Sequence, residues 1–150
     1  MFIKKILWYL YTNLFSRAFL LSLGRSSYIA LPRLLINAKN ISIGSKVRIF
    51  PYSRLESVDG GKISIMNDVS IGQNVNITSA NKVHIGSGTT ISSNVYITDM
   101  DHSIANPNIS VMSQPNIVTE GTTIGENCFI GTGVVILAGS KLEKSVVVGA

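Results

Sequence analysis

Aliphatic residues recur every six positions from about residue 41 to the end of the chain. Each complete unit begins with Ile or Leu, carries Val, Ser, Thr or Cys at its fifth place, and often has glycine at its second. The complete units begin at Ile43, Ile49, Ile65, Ile71, Ile85, Ile91, Ile124, Ile130, Ile136 and Leu142. A short period that repeats along most of a chain indicates a solenoid, in which each unit packs on its neighbours.

A six-residue period predicts short flat strands joined by tight corners, with three strands in each coil. The aliphatic side chain then fills the interior of a triangular prism, and the small residue fits near a corner. Parallel pairing of successive coils gives one continuous core. The anchors Ile97 and Ile124 lie further apart than the period allows. We therefore expect residues 99–116 to leave the stack as an excursion.

The first 23 residues have a different, helical periodicity. Polar side chains fall on one side of the predicted helix, and the apolar positions on the other are Ile3, Ile6, Leu7, Leu10, Leu14, Ala18 and Leu21. This pattern predicts an amphipathic helix that lies on a membrane or partner surface, or packs on its own domain. A signal or spanning segment is the third reading, against which Arg17 argues. We divide the chain into a helical segment, residues 1–40, and a solenoid, residues 41–150.

Composition and charge narrow the class of protein. Hydrophobic residues make up 45% of the chain and charged residues 14%, which predicts a buried core. The single cysteine, Cys128, excludes an internal disulfide framework and suits a reducing cytoplasm. Residues 1–62 hold ten Lys or Arg against two acidic residues. Because no basic stripe with interleaved aromatics is present, this asymmetry favours an anionic membrane surface over nucleic acid.

The repeat resembles that of the hexapeptide-repeat acyltransferases, over roughly residues 41–150. The resemblance implies an all-β fold, a left-handed parallel β-helix, which here follows the N-terminal amphipathic helical segment. It also implies acetyl-CoA as acyl donor, no metal, and a homotrimer with sites between subunits. The left hand comes from the resemblance alone, because the general preference of crossover connections is right-handed.

The two histidines differ in their predicted settings. His84 lies between Val83 and Ile85, so strand alternation turns it outward, which indicates a structural surface residue. His102 lies at the mouth of the excursion, in TDMDHSI. By itself it could be a loop histidine bonded to its neighbours. The resemblance to sugar O-acetyltransferases places it on the catalytic histidine, where neutral imidazole could accept a hydroxyl proton.

Several further side chains are candidates on the acceptor side. Asp101 or Asp99 could orient the imidazole of His102, or be merely solvated. The resemblance places Phe129 where relatives carry an aromatic wall against the acceptor. Gly72 stands where galactoside and maltose acetyltransferases carry an asparagine, so the acceptor differs from those sugars, and Asn74 or Asn76 could substitute.

Cys128 occupies the small fifth place of its unit, which indicates packing rather than a nucleophile.

The donor side rests on small residues near the end of the chain. The resemblance implies coenzyme contacts at Gly131, Thr132, Ala138, Gly139, Ser140 and Ala150. The same small residues are what a coil corner requires, so both readings stand. Relatives continue past this point through a closing strand and a segment resembling GNPAK. We therefore expect the sequence, which stops at Ala150 inside a unit, to be a fragment that binds coenzyme weakly.

These observations predict a cytoplasmic O-acetyltransferase acting on a sugar or lipid-linked glycan, a surface-polysaccharide precursor. The basic N-terminus, residues 1–25, would hold it at the inner face of the membrane. A non-catalytic β-helix scaffold and an N-acetyltransferase of an amino sugar are the alternatives. A metal hydratase on the same fold would need three imidazoles, and the two histidines lie far apart in coil phase.

Overall fold

One helix precedes a stack of short strands in the computed structural model, which describes residues 2–14 and 16–149. Helix α1 spans Phe2–Leu14, and short 3₁₀ turns lie at Ser16–Ala18, Ala38–Asn40 and Val111–Ser113. The strands are β1 (Ser22–Leu23), β2 (Tyr28–Ile29), β3 (Leu34–Ile36), β4 (Ile41–Ile43), β5 (Arg48–Ile49), β6 (Arg54–Ser57), β7 (Lys62–Ile65), β8 (Ser70–Ile71), β9 (Asn76–Ser79), β10 (Lys82–Ile85), β11 (Thr90–Ile91), β12 (Tyr96–Thr98), β13 (Met100–His102), β14 (Asn116–Val118), β15 (Thr122–Ile124), β16 (Phe129–Ile130), β17 (Val135–Ile136), β18 (Lys141–Leu142) and β19 (Val147–Val148).

The strands form the three faces of a left-handed parallel β-helix, as predicted. Within the described residues the first sheet runs β1-β4-β7-β10-β15-β18, the second β2-β5-β8-β11-β16-β19, and the third β3-β6-β9-β12-β17. Register places like residues on top of one another, as where Ile71 pairs with Ile49 and Ile91. These stacked aliphatics are almost fully buried and form one core along the axis.

The β-helix begins earlier than residue 41, so the predicted boundary was wrong. Strands β1, β2 and β3 form a complete first coil, in which Leu23 pairs with Ile43 and Ile29 with Ile49. The helical segment therefore ends near residue 18 rather than at residue 40. The signal was present in the sequence as a 20-residue spacing, but Leu31 and Pro32 stand where later coils carry ordinary corner residues and hide the period.

Helix α1 caps the open end of this first coil. The hydroxyl Oγ1 of Thr12 accepts the N–H of Ile29 at 2.8 Å, and its single proton is shared between the Trp8 carbonyl at 2.7 Å and the Ile29 carbonyl at 3.1 Å. The two Ile29 groups lie on the free edge of β2, whose other edge pairs with β5. Helical periodicity predicts Thr12 on the outer polar side of the helix, yet it is fully buried. An unpaired strand edge needs polar partners, which is why Thr12 turns inward.

The excursion leaves the third corner of the fourth coil and returns to β15. Strands β13 and β14 pair antiparallel within it, with His102 opposite Asn116. Gln114 holds the tip together, since its side chain accepts the N–H of Asn106 and donates to the Asn106 carbonyl, both at 3.0 Å. Across the described ranges, no helix is long and apolar enough to span a bilayer.

Candidate active site

A cleft of about 470 Å³ lies between the outer face of the third sheet and the excursion. Polar side chains form most of its walls, with one aromatic ring and two thioethers among them. The lining residues are Arg54, Glu56, Val58, Asn76, Thr78, Tyr96, Met100, Asp101, His102 and Met112. The cleft therefore joins residues of three successive coils to the hairpin that carries His102.

Strand alternation explains why the floor of the cleft is polar. Leu55, Ile77 and Ile97 point into the core, so their neighbours in each strand point outward. In-register stacking then aligns the outward side chains in two rows across the sheet. Arg54, Asn76 and Tyr96 form one row, and Glu56, Thr78 and Thr98 the other.

His102 lies at the end of β13, exposed on the wall of this cleft. Its imidazole has no hydrogen-bond partner among the residues that the structure describes. An exposed imidazole at the wall of a polar cleft is free to hydrogen-bond a ligand there. The predicted placement of His102 at the mouth of the excursion is observed.

Neither predicted orienting carboxylate contacts the imidazole. The side chains of Asp101 and His102 point apart because they are adjacent on an extended strand. The Asp101 carboxylate instead accepts the main-chain N–H of His102 at 2.7 Å. Asp99 is fully buried and points into the corner below. It accepts the Ser79 hydroxyl at 2.7 Å and the main-chain N–H groups of residues 80–82. Asp99 therefore anchors the base of the excursion.

Besides Asp101, the cleft that His102 borders contains the carboxylate of Glu56, which the sequence pattern did not single out. It forms an ion pair with Arg54 from the same strand, and its side chain is only 16% exposed. The Nε of Arg54 is buried and unpartnered in the described structure. The only signal in the sequence was the alternation of RLES, which turns both charges to one face of β6.

Of the other acceptor-side candidates, Asn76 is the one that lines the cleft. It is in register with Tyr96 of the next coil. Asn74 lies outside it at a corner, where its side-chain amide donates to Asn94 at 2.9 Å. Phe129 is exposed on the outer face of the second sheet, in β16, and does not line the cleft of its own chain.

The donor-side candidates occupy two corners of the fifth coil. Gly131 and Thr132 follow β16 at the corner between the second and third sheets, whereas Ala138, Gly139 and Ser140 lie between the third and the first. The second corner stacks on the base of the excursion, because Thr122 Oγ1 donates to the Thr98 carbonyl and accepts the Gly139 N–H. Ala150 lies outside the described residues.

His84 and Cys128 do not line the cleft. His84 is half-buried on the outer face of β10, and burial together with the charge of Lys82 lowers its pKa below the ordinary value. Cys128 is buried, with its Sγ 3.1 Å from the Glu143 carbonyl oxygen. In the part of the chain that the structure describes, no group of three or more His, Cys, Asp or Glu side chains could hold a metal ion.

Comparison with known proteins gives matches in sequence and in fold. The family model described as "Hexapeptide repeat of succinyl-transferase" matches residues 118–150. WbbJ of Escherichia coli (strain K12), named as a lipopolysaccharide biosynthesis O-acetyl transferase, is 32% identical over 129 residues. The match covers 81% of this chain and 65% of that protein, so the chain spans less than two thirds of this relative's length.

Two crystal structures of AntD, an N-acyltransferase from Bacillus cereus, share the fold. The complex with dTDP and 3-hydroxybutyryl-CoA has a TM-score of 0.75 at 16% identity, over 92% of this chain and 82% of that chain. A variant in complex with dTDP and coenzyme A has a TM-score of 0.70 at 20% identity, over 92% and 75%.

Proposed function

We propose that the chain, which has the left-handed β-helix fold and resembles the hexapeptide-repeat acyltransferases, transfers an acetyl group from acetyl-CoA to a sugar hydroxyl. The observation that carries the proposal is the exposed imidazole of His102 on the wall of a polar cleft. The sequence similarity to a protein named as an O-acetyl transferase supports a hydroxyl acceptor over an amine.

The chemical step is direct transfer without an acyl-enzyme. Neutral His102 accepts the proton of the sugar hydroxyl while that oxygen attacks the thioester carbonyl. The tetrahedral intermediate then collapses, the carbon–sulfur bond breaks, and the proton passes from the imidazole to the leaving thiolate of coenzyme A. Holding both reactants beside His102 supplies the entropic part of the rate enhancement.

The floor of the cleft supplies the polar contacts that a sugar needs. Asn76 and Thr78 offer an amide and a hydroxyl, and Tyr96 offers a partly exposed ring beside them. The Glu56 carboxylate and the Arg54 guanidinium add a fixed acceptor and a fixed donor. A concave site with a few convergent polar groups is suited to orienting a small polar ligand. We assign the acceptor to this floor.

The donor is expected along the fifth coil. The AntD complexes contain coenzyme A or an acyl-CoA, which supports a donor of this class here. Small residues at Gly131, Thr132 and residues 138–140 leave the backbone open to a thin pantetheine chain. In the homotrimer that we propose, each cleft faces the coil of a neighbouring copy, which could contribute its Phe129. A monomeric mass in solution would contradict the trimer.

The decisive experiment is coenzyme release with a panel of nucleotide sugars and lipid-linked glycans. We expect His102→Ala to lower kcat/KM by roughly 10²–10⁴-fold, because the general base is lost. His84→Ala is the matched control and should leave the rate unchanged, since His84 lies on a different sheet outside the cleft.

The remaining outcomes separate the alternatives. Turnover with amino sugars but not with hydroxyl acceptors would replace O-acetylation by N-acetylation. Binding of coenzyme without turnover on any acceptor would leave the scaffold reading. We also propose that the protein lies in the cytoplasm at the inner face of the membrane, where lipid-linked glycans are assembled.

A further inference from the structure

The outward face of helix α1 is apolar although the helix is docked. Trp8 and Thr12 turn toward the first coil, where the Trp8 ring lies 5.8 Å from that of Tyr28 and 6.3 Å from that of Phe50. The opposite stripe is left in solvent at a helical spacing. Its members are Ile3, Ile6, Leu7, Leu10 and Leu14, between 44% and 73% exposed, and we call them the α1 outer face.

The charge around this face has one sign. No Asp or Glu occurs before Glu56, whereas the helix and the first coil contain Lys4, Lys5, Arg17, Arg25, Arg33 and Lys39. The ion pairs of the described ranges involve Arg48, Arg54 and Lys144, so these six cations have no carboxylate partner there. An apolar stripe on a part of the chain whose charges are all positive is complementary to anionic headgroups above hydrocarbon.

The apolar character continues beyond the helix. Phe19 and Leu21, in the segment that follows, are 67% and 63% exposed. Phe19 also borders an apolar groove of about 400 Å³ whose other walls include Pro32 and Leu35 of the first coil. Exposed apolar residues in such number, grouped at one end of a molecule, mark an interaction surface.

We propose that the α1 outer face binds the surface of an anionic lipid bilayer. The apolar side chains enter the boundary between headgroups and acyl chains, while the cations of α1 and the first coil contact the phosphates. Because α1 caps the N-terminal end of the solenoid, the coils extend away from the bilayer. This inference rests on the docked helix and its charges and holds whatever acceptor the cleft takes.

Vesicle binding tests the proposal directly. The full chain is sedimented with vesicles of phosphatidylcholine alone and with vesicles containing about 30% phosphatidylglycerol. We expect binding to the anionic vesicles at least tenfold tighter than to the neutral ones, and weakened by 0.5 M NaCl because salt screens the charges. Absence of binding to the anionic vesicles would overturn the proposal.

Substitutions then separate the apolar and the charged contributions. Leu7→Asp should weaken binding about tenfold or more, because a buried leucine is lost and a carboxylate is brought to an anionic surface. The matched control is Val147→Asp, which replaces an exposed apolar residue at the other end of the solenoid and should bind like the unsubstituted chain. Lys4→Gln and Arg17→Gln should each weaken binding about fivefold on anionic vesicles, and Lys144→Gln should not.

Two further measurements distinguish lipid binding from misfolding and from self-association. Far-UV circular dichroism of Leu7→Asp should match that of the unsubstituted chain, since Leu7 lies outside the core. The chain could fail to bind vesicles while Leu7→Asp lowers the oligomeric mass of the protein in solution. In that case the α1 outer face binds a second copy of the chain, and the lipid proposal is wrong. No acyl donor is present in these experiments, so their outcome is independent of the transferase assay.

Discussion

At the residue scale, Asp99 shows how one buried carboxylate positions the candidate base. It accepts hydrogen bonds from Ser79 and from three successive main-chain N–H groups of the corner at residues 80–82. Its own carbonyl accepts the N–H and the hydroxyl of Thr119 on the returning strand of the excursion. His102 follows three residues later, so its place relative to the sheet depends on this anchor.

Replacing Asp99 by Asn should destabilise the protein by about 3 kcal/mol. The amide group retains one acceptor but turns a donor toward N–H groups that are already donors, at a side-chain position that is fully buried. Urea unfolding measures the loss. Asp101→Asn is the control, because that exposed carboxylate accepts one main-chain N–H, and we expect a change within about 0.5 kcal/mol. Equal stability of the two variants would contradict the anchoring role.

At the scale of elements, a hydroxyl on the polar side of α1 holds the helix on the first coil, whereas the sequence left open whether the helix packs on its own domain or on another surface. Thr12 joins the helix to the free edge of β2, and Trp8 packs on the aromatic rings of the first and second coils. The arrangement satisfies the main-chain groups that the first coil would otherwise expose. It also leaves the apolar residues of the α1 outer face exposed and available to contact another surface.

Thr12→Val should therefore loosen the helix at a cost of about 1–3 kcal/mol, because the Ile29 N–H loses its acceptor. The chain has a single tryptophan, so the fluorescence of Trp8 reports docking, and its emission should shift to the red. Thr12→Ser keeps the hydroxyl and should retain the original emission. A valine variant with unchanged emission and stability would show that packing alone docks the helix.

At the scale of the whole molecule, the solenoid and the excursion are separate contributors. The core runs through the stacked coils and includes no residue of the range 104–114. Each coil is stabilised by its neighbours, which makes such a fold tolerant of changes in one corner loop. The cleft, by contrast, needs both parts, because the excursion supplies Met112 and His102 while the third sheet supplies the floor.

Replacing residues 104–114 by an Asn-Gly hairpin turn should leave the thermal midpoint within about 3 °C of the original. The same change should abolish coenzyme release, because one wall of the cleft is removed while His102 itself remains. Calorimetry and the transferase assay measure the two effects on one preparation. If the shortened protein is unfolded, or if it is fully active, the separate roles of the solenoid in stability and of the excursion in the cleft are contradicted.

The six-residue period in the sequence determined a solenoid of three-stranded coils, whereas the left hand of the solenoid came from the family resemblance. Once Ile43, Ile65 and Ile85 are required to stack, the alternation of side chains, the corners and the excursion follow from local geometry. Glycine supports the same register, since a Cβ on Gly86 would lie 2.5 Å from the carbonyl carbon of Gly125 in the next coil. The setting of His102 at the mouth of the excursion was readable for the same reason.

The tertiary structure decided which residues meet and which face is covered. Glu56 and Arg54 lie more than forty residues before His102, and only the stacking of coils and the fold of the excursion bring the three to one cleft. The inner face of α1 was likewise undetermined, because the strand edge that Thr12 satisfies exists only after the first coil has formed. Local periodicity determines which way the side chains of one strand or helix point relative to each other, whereas contacts between distant elements depend on the assembled fold.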